Sequence, residues 1–135
     1  MFFECPASKP LVISSSLFWT VALHACYRKQ WLYAYAFTAV AFFSLNYHCY
    51  GYHKEIDKIT AHLVFAFVLM HAIATLPKHI HTLFYLLAIT CLWFAEEVFA
   101  HHASELHFLL HITAVVGMHA HISRACGQRH CIRLD

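Results

Sequence analysis

Long apolar stretches separated by short polar breaks run through the whole chain. Five such stretches are legible, at about residues 11–27, 31–50, 59–76, 81–100 and 105–122. Each is long enough to cross the hydrocarbon core of a bilayer as a helix. The breaks are Arg28-Lys29-Gln30, the run from Gly51 to Lys58, Pro77-Lys78 and the run from His101 to Ser104. Connections this short force consecutive spans to run antiparallel as neighbours. The pattern predicts an all-α integral membrane helical bundle of about five transmembrane helices. It forms a single membrane-embedded domain over residues 1–135, with a polar C-terminal tail at 123–135. The first stretch reads as a span rather than a signal peptide, because residues 1–8 carry only Glu4 as a charge and no small-residue cleavage site follows.

Composition strengthens the membrane reading. Hydrophobic residues make up 61% of the chain and the mean hydropathy is +0.56. Charged residues are 12%, about half the ~25% of soluble domains, too few to coat a monomer of this size. A net charge of +2 gives no support for nucleic-acid binding. Orientation follows from Lys and Arg. One side holds Arg28, Lys29, Lys78, Arg124, Arg129 and Arg133, and the other holds Lys9, Lys54 and Lys58. This bias places the C-terminus in the cytoplasm and the N-terminus outside or in a lumen, in the ER, Golgi or plasma membrane.

The six cysteines have no framework spacing. Cys26 and Cys91 lie in or beside apolar stretches, where a thiol behaves as a small hydrophobe. Cys126 and Cys131 flank His130 at a weak metal-binding spacing and read more simply as tail cysteines open to acylation near the membrane.

Fourteen histidines in 135 residues are the anomaly. Ionisable groups inside a bilayer are costly and point to function. Counting spans as odd or even sorts the polar residues by depth. Ser44 and His48 fall near the end of the second span, Asp57 and His62 at the start of the third, Glu96 and Glu97 near the end of the fourth, and His107 and His111 at the start of the fifth. All eight lie in one leaflet, whichever way the protein is inserted. His107 and His111 are one helical turn apart on one face, close enough to share a metal, and Ser44 and His48 are spaced in the same way. Three neutral imidazoles, His48, His107 and His111, with one open position form the ligand set of a catalytic zinc. A carboxylate such as Asp57 can orient a water and take its proton, and Ser44 can donate to that water or to a developing oxyanion. Taken singly, these residues have plainer readings. An imidazole pair can bond neighbouring helices, a serine can bond back to its own helix, and Asp57 can sit solvated among Lys54, Glu55 and Lys58.

The order Ser44-x-x-x-His48, then Asp57, then His107-x-x-x-His111 resembles the superfamily of transmembrane hydrolases that includes alkaline ceramidases, progestin and adipoQ receptor-like proteins, Per-type GPI-lipid remodelling proteins and myomaker-like proteins. Phe43-Ser44-Leu45-Asn46-Tyr47-His48-Cys49 is similar to that group's second-span motif, and His107-Phe108-Leu109-Leu110-His111 to the motif of its last span. Glu96 or Glu97 matches an acidic position that some members carry about ten residues before the final motif. The resemblance implies zinc held by His48, His107 and His111, with Ser44 and Asp57 around a bound water, and hydrolysis of a lipid amide or ester. The family core has seven spans against five here. Removing two helices between the third and the last preserves parity, so the ligands still meet in one leaflet.

Three rival classes remain open. A b-type haem electron-transfer protein needs histidines facing each other across a bundle. His62, His107 or His111 in one leaflet and His24, His71 and His119 in the other supply them, but that reading leaves Ser44, Asp57 and the glutamates idle. A di-iron hydroxylase needs a denser pattern than His101-His102 provides. The third is a non-catalytic receptor, transporter or structural membrane protein that retains a metal site. His79, His81, His119, His121 and His130 read most simply as interfacial, at headgroup depth among the aromatics.

Overall fold

The computed structural model describes residues 9–125. Within them the chain is helical, with no strand: α1 (Lys9–Ser16), α2 (Phe18–Tyr27), α3 (Trp31–Tyr50), α4 (Lys54–Ala74), α5 (Ile80–Val98), a single 3₁₀ turn at Ala100–His102, and α6 (Ala103–Ala125). The expected all-α bundle is what forms. α1 and α2 are two halves of one rod, interrupted only at Leu17, and together make the first span.

Four units are long and apolar enough to cross a membrane: Lys9–Tyr27, Lys54–Ala74, Ile80–Val98 and Ala100–Ala125. α3 matches them in length at 20 residues but falls short in apolarity. Its tyrosines and the Ser44, Asn46 and His48 of its last turns lower its hydropathy. The site residues thus blunt the span signal on the helix that bears them.

The spans close into a ring. α1 and α2 pack on both α3 and α6, α3 packs on α4, α4 on α5, and α5 on α6. The α4–α5 seam is the sparest of these junctions, and the α4 and α6 backbones stand apart with an interior cavity between them. Small residues set the close approaches, as expected where lipid removes the hydrophobic drive between helices. Ala22, Ala25, Ala34 and Ala41 are buried between α2 and α3. On α6, Gly117 lies against Tyr85 of α5 so closely that a Cβ there would stand 2.8 Å from the tyrosine Cβ. Gly117→Ala is therefore expected to wedge α5 from α6 and cost about 1–3 kcal/mol, the usual price of overpacking. Unfolding in detergent, followed by circular dichroism, should show an earlier midpoint; an unchanged midpoint would contradict this contact.

The turn from α3 to α4 positions two site helices. α3 stops at Gly51, whose φ of 72° is the left-handed conformation that glycine adopts without a Cβ penalty. Its N–H bonds the Tyr47 carbonyl at 2.8 Å, closing the last turn beside His48. Three residues later α4 begins with Glu55 and Asp57 in its first turn, where the helix dipole favours negative charge.

Candidate metal centre

His107 and His111 project from one face of α6, and His48 meets them from the end of α3. The three rings stand 4.6, 5.2 and 5.5 Å apart between centroids. One nitrogen from each lies within 4.8 Å of the other two, which makes this a group that can hold a metal ion. Among the described residues it is the only such group with three donors so close.

The outer bonds of the rings say which nitrogens face inward. His107 Nδ1 lies 3.0 Å from a Glu96 carboxylate oxygen, and His111 Nδ1 lies 3.0 Å from the Ser14 hydroxyl. That leaves Nε2 of both rings directed toward the shared space. His107 Nε2 and His48 Nε2 are buried and have no hydrogen-bond partner. Leaving a buried polar atom unpaired is costly, and a metal ion would satisfy both. A carboxylate on the far nitrogen of a ligand histidine fixes its tautomer and raises its basicity, a recurrent feature of metal sites. The donor chemistry therefore fits a transition-metal ion. Glu96→Gln is expected to weaken metal affinity by about 10–100-fold without abolishing it. Competition against a chelating dye reads this directly, and unaltered affinity would remove Glu96 from the site.

Ser44 and Asp57, singled out from the sequence, line the same cavity as the three histidines. Both are buried, at 2% and 8% exposure, so Asp57 is not the solvated charge its lysine neighbours allowed. The Ser44 hydroxyl does not bond back to its own helix but lies 2.9 Å from that of Ser15 on α1. Glu96 and Glu97 divide their roles: Glu96 takes the histidine, while Glu97 is exposed at the cavity mouth. His62 stays out of the cluster. Its Nδ1 donates to the Lys58 carbonyl at 2.6 Å, and its ring packs on Trp93 across the α4–α5 seam at 4.2 Å.

Two site residues escaped the sequence reading. Ser14 and Ser15 come from the first span and tie it to His111 and Ser44. The signal was present, as three successive serines in an otherwise apolar stretch.

The cavity holds about 600 Å³. Its mouth carries Lys54, Lys58, Glu97 and Ser104, its middle the histidines, and its floor Phe37, Val68, Leu86, Ile89 and Met118.

The other histidines add one feature and weaken a rival. His79 and His121 are buried among protein side chains, at 5% and 0% exposure. His24 and His119 are in direct contact, Nδ1 to Nδ1 at 2.8 Å. The two axial ligands of a haem stand on opposite faces of a porphyrin, and this pair leaves no room for one. Cys26 and Cys91 are free thiols, whereas Cys49 is disulfide-bonded, which its spacing did not disclose. The tail readings for Cys126, His130 and Cys131 lie outside the described residues. No family model, no curated protein and no solved structure matches this chain, so the meaning of the site rests on its own chemistry.

Proposed function

We propose that the protein is a zinc-dependent membrane hydrolase that cleaves an amide or ester bond of a lipid. The observation that carries this reading is a three-histidine group opening onto a cavity with a polar mouth and an apolar floor, with an acid and a hydroxyl in the same lining. Three imidazoles with an open side are the ligand set of catalytic rather than structural zinc. Zinc held there by His48, His107 and His111 supplies a Lewis acid and lowers the pKa of a water toward ~7.

The chain's own residues account for the remaining requirements. Asp57 is buried beside the histidines and makes no ion pair among the described residues, which leaves its carboxylate to orient a water and accept its proton. Ser44, hydrogen-bonded to Ser15, would donate to the oxyanion that develops on the carbonyl. Glu96 and Ser14 keep two ligand rings in register. Lys54 and Lys58 at the mouth suit a lipid headgroup, and the apolar floor suits one acyl chain.

The site side is the lumenal or extracellular one in this reading. The excess of Lys and Arg lies on the other side. Cys49, one residue from the ligand His48, is oxidised, as thiols are in secretory compartments.

The test is fatty-acid release from ceramides, phospholipids and acyl esters in mixed micelles. Release by the zinc-loaded protein that a chelator abolishes is expected. Release no greater than that of the His107→Ala/His111→Ala chain, across all three substrate classes, would overturn the proposal.

A further inference from the structure

A second group of imidazoles stands at the opposite end of the bundle. His71 comes from the last turns of α4, His79 from the turn before α5, His81 from the first turn of α5, and His121 from α6. The Tyr33 hydroxyl of α3 reaches His71 Nδ1 at 2.6 Å and His121 Nε2 at 2.9 Å. Those two nitrogens are 3.2 Å from each other. The other nitrogen of His121 lies 2.9 Å from the Thr82 hydroxyl. The His79 ring packs on that of His121 at 4.3 Å and lies 5.8 Å from that of His71.

Hydrogen bonding among helices explains Tyr33, Thr82 and His121. It does not explain His79, which is 5% exposed yet has a buried Nδ1 with no partner. Nor does it explain His81, whose Nδ1 is buried and unpartnered as well. The same mark, a buried imidazole nitrogen without a bond, distinguishes His48 and His107 at the other end. The ring spacings also correspond: 4.3, 5.3 and 5.8 Å here against 4.6, 5.2 and 5.5 Å there.

We infer that His71, His79 and His121 form a second transition-metal site. Two ligands at about 2.0–2.1 Å from a tetrahedral ion stand roughly 3.4 Å apart, close to the spacing that the His71 and His121 nitrogens already have. His79 completes the set by turning its ring from its place in the interhelical turn, since its donors are less gathered than those of the outer group. All the described acidic residues (Glu55, Asp57, Glu96, Glu97 and Glu105) sit at the other end of the bundle. A set of imidazoles without carboxylates selects zinc, copper or nickel over magnesium and calcium. Such an ion would reinforce the junction of α4 with α6, which meet at His71 and His121.

The test loads the full-length chain in detergent with Zn²⁺ and counts bound ions after dialysis. Two per chain are expected for wild type, one for His79→Ala, one for His107→Ala/His111→Ala and none for the triple variant. Tyr33→Phe, which removes the hydrogen bonds but no ligand, keeps two. Two ions in folded His79→Ala, or none in His107→Ala/His111→Ala, would overturn the inner site. Failure of the outer site reads differently, as an unchanged count in His107→Ala/His111→Ala. Should His79→Ala not fold, Cu²⁺ bound to His107→Ala/His111→Ala must show three imidazole nitrogens in its electron paramagnetic resonance spectrum. Fewer than three would equally exclude the site.

Discussion

Replacing His111 with alanine is expected to remove one metal ion from the protein. His111 is the most deeply buried of the three outer imidazoles, held between Ser14 on α1 and the edge of the Phe18 ring. No other described histidine, cysteine or acid stands in a compact group with His48 and His107, so nothing replaces the lost ligand. A four-ligand structural zinc contributes about 10–16 kcal/mol, or roughly 3–4 kcal/mol per ligand. Affinity should therefore fall by about 100–1000-fold, enough to empty the site on dialysis. Ser14→Ala makes the contrast. It frees the His111 ring without deleting a ligand, so it should weaken binding in the manner of Glu96→Gln while leaving the ion in place. Elemental analysis of the three dialysed proteins separates ligand loss from loss of orientation. Full metal content in His111→Ala would place the ion elsewhere.

Asp57→Asn is expected to leave the metal and cut turnover sharply. Asparagine has the shape of aspartate, so the buried wall of the cavity is conserved, and Asp57 is not a member of the three-donor group. What disappears is the ability to accept a proton. Losing a positioned general base typically costs about 10²–10⁴ in rate. The expected pattern is a drop of that size in kcat, with the metal content and KM near those of wild type. Activity unchanged from wild type would take Asp57 out of the reaction. Joint loss of metal and activity would make it a ligand or a structural group instead.

The membrane bundle and the meeting of the outer histidines could be read from the chain for a specific physical reason. Antiparallel packing of consecutive spans makes depth a matter of parity, and parity needs only the order of the polar residues. His48, His107 and His111 fall at one depth by that count and are adjacent in the fold. The span limits were close: α3 is Trp31–Tyr50 as expected, whereas α4 starts at Lys54, before the apolar run that marked it.

What parity cannot supply is the rotation of each helix about its own axis. A membrane helix is apolar on its lipid face and on its buried face, so the one-sided pattern that orients a soluble helix is missing. For that reason Ser14 and Ser15 were not connected to His111 and Ser44, and Glu96 could not be separated from Glu97. For the same reason the burial of His121 against Tyr33 and Thr82, and of His79 against His121, was not legible. Closure of α1 and α2 onto α6 joins the two ends of the chain, a contact that no local pattern encodes.

The most direct measurement is metal content together with visible absorption of the detergent-purified protein, wild type beside His111→Ala. One more zinc per chain is expected in wild type than in the variant, and no Soret band in either. Equal zinc in the two proteins would contradict the outer centre, and a Soret band in wild type would move the protein to haem chemistry.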